Sequence, residues 1–69
     1  SAKSVEANST IRFVADEKSW LIISKDGCHG IGQDVVFKAG DFVLLSDQEL
    51  EIKNTTDEAI SVFKLKYTL

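Results

Sequence analysis

Apolar and polar residues alternate along this chain in short runs whose period is two, the period of a strand half-buried on one face. Over residues 10–14, Ile11 and Phe13 face one way and Arg12 the other. Residues 19–24 and 42–45 are apolar on both parities, residues 28–31 form a glycine-interrupted strand, and residues 35–37 make another. Leu50 and Ile52 oppose Glu49, Glu51 and Lys53. At the end of the chain Phe63, Leu65, Tyr67 and Leu69 oppose Lys64, Lys66 and Thr68, while Ile60 and Val62 fall on the other parity. That switch predicts a bulge near Val62.

Turn residues separate these runs: Ala15-Asp16-Glu17-Lys18, Lys25-Asp26-Gly27, Gly32-Gln33-Asp34, Lys38-Ala39-Gly40-Asp41, Ser46-Asp47-Gln48 and residues 54–58. The pattern predicts an all-β fold, a small barrel or sandwich of about seven short antiparallel strands, with no helix. Residues 1–9 are small and polar without a period and read as a flexible arm, leaving residues 10–69 as the domain.

Sixty-nine residues hold one small core, which is marginal alone and gains from association. No apolar run exceeds four residues, so no helix spans a bilayer. Lys3 is followed by polar residues, so no signal peptide is expected, and the Ser1-Ala2 start without Met reads as a fragment of a longer protein. Eight basic residues against eleven acidic ones give a net charge of -3, which repels a phosphate backbone and argues against direct nucleic-acid binding. The single cysteine, Cys28, cannot form an internal disulfide, which fits a reducing, cytoplasmic setting.

Chemistry-bearing residues are sparse. Cys28-His29 is the only soft-ligand pair, too few donors for a closed metal site, so neither a metal nor a cofactor is expected. Strand neighbours point to opposite faces, so these two cannot act as a nucleophile and base. Glu49 and Glu51 share a strand face, yet the alternation with Leu50 and Ile52 turns that face to solvent. Glycosylation sequons stand at Asn8-Ser9-Thr10 and Asn54-Thr55-Thr56.

Residues 19–69 resemble the N-terminal half of AraC-family transcription regulators, a small cupin-like barrel. The resemblance rests on Gly40-Asp41-Phe42-Val43-Leu44-Leu45-Ser46, on Gly32-Gln33-Asp34 upstream, and on the strand Ile60-Ser61-Val62-Phe63-Lys64-Leu65-Lys66-Tyr67-Thr68-Leu69. Cupins place a glutamate seven positions before a glycine, and Gln33 and Gly40 keep that spacing. Ser46, Asp47 and Gln48 replace the second motif's turn, and Glu51 stands where its histidine would be. These departures favour a sensor over a metal-dependent enzyme.

The resemblance implies an effector-sensing and dimerisation domain that is not an enzyme, with DNA bound by a helix-turn-helix half absent from this chain. Two other readings stand beside it: a ligand-free scaffold or binding module of cupin type, and a small cupin enzyme. A homodimer is expected, because residues 20–23 and 42–45 are apolar on both faces and one of those faces needs a cover. A small-molecule effector is expected in the barrel mouth, against inward-facing Trp20, Ile22, Phe63, Leu65 and Tyr67, with a hydrogen bond from His29. No membrane partner is expected.

Overall fold

Seven of the strands expected from the alternation are present, and another precedes them. The computed structural model describes residues 1–14, 18–45 and 49–66. It contains β1 (Ala2–Val5), β2 (Thr10–Phe13), β3 (Ser19–Ile23), β4 (Cys28–Gly30), β5 (Val35–Phe37), β6 (Phe42–Leu45), β7 (Leu50–Asn54) and β8 (Ile60–Lys66). Among the described residues there is no helix, and so none long and apolar enough to cross a membrane. The expected turns at Ala15-Asp16-Glu17 and Ser46-Asp47-Gln48 lie outside the described residues, as does Tyr67.

All pairings are antiparallel and nested. The strand β1 pairs with β8, β2 with β7, β3 with β6 and β4 with β5, as though one long hairpin had been bent over on itself. Two further ladders, β3 with β8 and β4 with β7, close this ribbon into two four-stranded sheets of order β1-β8-β3-β6 and β2-β7-β4-β5. This is the strand order of a double-sheet jelly roll. The chain changes sheet at every connection except the β4–β5 hairpin.

Alternation decides which side chains fill the space between the sheets. The first sheet contributes Val5, Leu21, Ile23, Leu45, Ile60 and Val62; the second contributes Phe13, Cys28, Phe37, Leu50 and Ile52. Turns hold the ends together. The Asp26 carboxylate accepts from the Ala39 amide at 2.8 Å, and the Gly40 amide donates to the Ile23 carbonyl at 2.7 Å, so two turns brace each other. Gly27, in the expected Asp-Gly turn, takes φ +116°, a conformation that a side chain disfavours.

Three expectations need correction. Ala2–Val5, read as part of a flexible arm, is an edge strand in register with β8, with Val5 buried opposite Ile60. No bulge interrupts β8 near Val62, since its ladder to β3 runs unbroken from Lys66 to Val62. The parity within β8 is also the reverse of that expected: Ile60 and Val62 point into the core, and Phe63 and Leu65 point out.

Candidate functional site

The outward side of the β1-β8-β3-β6 sheet is where the fold departs from an ordinary soluble surface. Register places its side chains in rows across the strands. Ala2, Phe63, Ile22 and Phe42 form one row. Leu65, Trp20 and Leu44 form the next, at the end of the strands where β8 finishes. On the other side Ser4 and Ser61 are opposite each other, and the Ser24 amide donates to the Ser61 carbonyl at 3.2 Å. None of these residues carries a charge.

The large members of the two apolar rows stand well out into solvent, Phe42 at 66% exposure and Leu65 at 50%. Trp20 and Phe42 meet as a tilted pair. Apolar residues scattered singly are normal on a surface, whereas these lie side by side in one contiguous patch, the kind of feature that is often functional. The reason lies in the sequence: β3, β6 and β8 carry apolar residues on both parities, and the core takes only one.

The second sheet supplies the contrast. Its outward side carries Thr10, Arg12, Glu51, Lys53 and His29, all turned away from Ile52 and Cys28. Arg12 and Glu49 make an exposed ion pair at 3.5 Å, a geometry that contributes little to stability. Beside His29, the β4–β5 hairpin encloses an open depression of about 430 Å³ lined by His29, Gly30, Gly32, Asp34, Val35 and Val36.

Four of the expected ligand residues are therefore brought together, but not in a barrel mouth. Trp20, Ile22, Phe63 and Leu65 share the outward face of one sheet. His29 belongs to the other sheet, and Tyr67 lies outside the described residues. Phe42 and Leu44 complete the patch and were missing from the expected site, although their run, apolar on both parities, carried the signal.

Elsewhere the chemistry is quiet. Cys28 is fully buried, and burial pushes its thiol pKa up, away from the thiolate a nucleophile needs. Glu49 and Glu51 are exposed as expected. Asn54, the acceptor of the second sequon, is buried with both ends of its amide engaged inside the protein. Among the described residues no three His, Cys, Asp or Glu side chains converge on a common point. Compared with known proteins, the chain matches no protein-family model, no curated protein and no solved structure.

Proposed function

We propose that this chain is a non-catalytic association module: a jelly roll that works by seating the outward face of its β1-β8-β3-β6 sheet on another protein surface. The observation that carries this reading is the pair of uncharged apolar rows running from Ala2 to Phe42 and from Leu65 to Leu44. Protein interfaces have such an apolar centre, depleted in charge and rich in aromatics, with polar residues at the rim. The serines at one end of the face supply part of such a rim. The buried, protonated Cys28 thiol supports the absence of nucleophilic chemistry.

The sequence resemblance gives this module a setting, as the pairing half of an AraC-type transcription regulator in the cytoplasm. The jelly-roll order agrees with the cupin-like barrel which that setting needs, though capsid and lectin domains share it. DNA contact in this reading belongs to a segment outside these residues, consistent with the net charge of -3. Effector sensing is a second reading, favoured by one observation, the depression beside His29. Its size falls within the range of small-molecule sites.

Photo-crosslinking tests the association reading. With p-benzoylphenylalanine in place of Phe42, the chain expressed in its source cell should give a discrete adduct. The same probe in place of Lys53, on the polar sheet, should give none. Absence of an adduct from position 42 would overturn the reading.

A further inference from the structure

Resting on that reading, we infer that the surface received by this face is a second copy of the same chain, stacked sheet on sheet about a two-fold axis that runs along the strands. Charge is the first argument. The chain has a net charge of -3, yet neither apolar row holds an acid or base. Among the described residues the carboxylate that reaches the serine rim is Glu6, bonded to Ser4, so the centres of two copies meet without like-charge repulsion. A lipid surface would be met by Lys or Arg among the apolar residues, and the two rows hold neither.

Area is the second argument. The exposed aromatic and leucine side chains present roughly 500 Å² of apolar surface by ordinary side-chain areas. With the serine rim included, that approaches the ~800 Å² per partner of a stable specific interface.

Shape fixes the axis. On this face β1 presents only Ala2 and Ser4, whereas the opposite edge, β6, carries Phe42 and Leu44. A two-fold axis along the strands, between β8 and β3, lays β6 of one copy over β1 of the other. Phe42 then fills the space above Ala2 of the second copy, and Ile22 meets Phe63. An axis across the strands would set β1 on β1 and leave a void beside crowded phenylalanines. Aligned sheets pack about 10 Å apart with a modest twist between them, which this arrangement allows.

The test is sedimentation equilibrium of the whole chain, paired with thiol crosslinking by a short bifunctional reagent. The chain should show a monomer–dimer equilibrium, and Phe42→Glu should weaken it at least about tenfold while leaving the far-ultraviolet circular dichroism of the monomer unchanged. A bifunctional thiol reagent with a spacer of about 5 Å should link the double variant Ala2→Cys/Phe42→Cys into a covalent dimer across the roughly 10 Å between sheets, with Cys28 sheltered in the core. Within one chain the two positions are three strand spacings apart, about 14 Å, too far for that spacer to join. Phe42→Cys alone should trap far less.

A monomer at every concentration, with a photo-adduct at position 42 heavier or lighter than two chains, overturns self-association and leaves the association module standing. A dimer unaffected by Phe42→Glu overturns the use of this face altogether. A dimer trapped as readily by Phe42→Cys alone as by the double variant overturns the axis.

Discussion

Trp20 and Phe42 stand on the outer surface of the sheet with ring centroids 6.2 Å apart and planes inclined at 59°, diagonal neighbours across β3 and β6. A tilted aromatic pair of this kind contributes about 0.5–1.5 kcal/mol beyond the area it covers. Here the pair also marks where the protein's apolar surplus has gone. The core between the sheets is filled from the other parity by Leu21 and Ile23, so the largest side chain of the molecule is left outside.

Replacing Trp20 by Ala should therefore cost the monomer only about 1–2 kcal/mol, below the ~3–5 kcal/mol of a buried aromatic. Leu21→Ala, one position away but fully buried, should cost about 2–5 kcal/mol. Urea unfolding at a dilution where the chain is monomeric compares the two. Equal losses would mean that Trp20 belongs to the core.

Asn54 is the most heavily used polar side chain of the interior. Its Nδ2 donates to the Val5 carbonyl at 2.9 Å and to the Glu58 carbonyl at 2.6 Å, while its Oδ1 accepts from the Thr56 amide and hydroxyl at 2.9 and 2.7 Å. It pins β1 to the 54–58 loop. Asn54→Ala leaves several of these groups without a partner and should lower stability by about 2–4 kcal/mol. Amide exchange should accelerate in β1 before it does in β3 or β6, and uniform acceleration would contradict the local role.

Gly27 and Gly40 separate backbone strain from steric conflict. Both have positive φ, +116° and +87°. A Cβ on Gly27 collides with Thr56 Cγ2 and lies 3.4 Å from Ile60 Cδ1, whereas one on Gly40 meets nothing within 4 Å. Alanine at 40 should cost about 1 kcal/mol from conformation alone, and alanine at 27 about 1–3 kcal/mol more. Thermal unfolding of the two variants should rank them in that order.

Burial holds the Cys28 thiol above its ordinary pKa of 9.0. The unfolded chain therefore gives up this proton first, and in the window above pH 9.0 it binds fewer protons than the folded protein. Cys28 should thus subtract stability as pH rises past that value and have no effect below it. Cys28→Ala should flatten the alkaline limb of a stability–pH curve. An equally steep limb in the variant would assign the loss to other groups.

The residues explain why some of the fold could be read from sequence and some could not. In β7 the apolar Leu50 and Ile52 alternate with charged neighbours, so both strand and facing were legible. In β8 both parities are apolar, and which one enters the core is decided by the pairing of Val62 with Ile23, a partner far away in the chain. The same ambiguity grouped Trp20, Ile22, Phe63 and Leu65 correctly while placing them on the wrong side of the sheet. In β1 the lone buried side chain is Val5, too little alternation to announce a strand that long-range pairing creates. His29 was separable from the others only through sheet membership, which local sequence does not encode.

The nesting of the strands also bears on how the chain is made. Both β7 and β8, the last of the eight described strands in chain order, are interior members of their sheets, each flanked by strands synthesised earlier. Until they emerge, β1 has no neighbour in its sheet and β3 has only β6, while Val5, Leu21 and Ile23 have nothing to pack against on the β8 side. Folding during translation is therefore confined to the β4–β5 hairpin and the β3–β6 pair. The nascent domain must remain open, with its stickiest segments uncovered, until those two strands emerge, and it is in that interval that a chaperone would meet it.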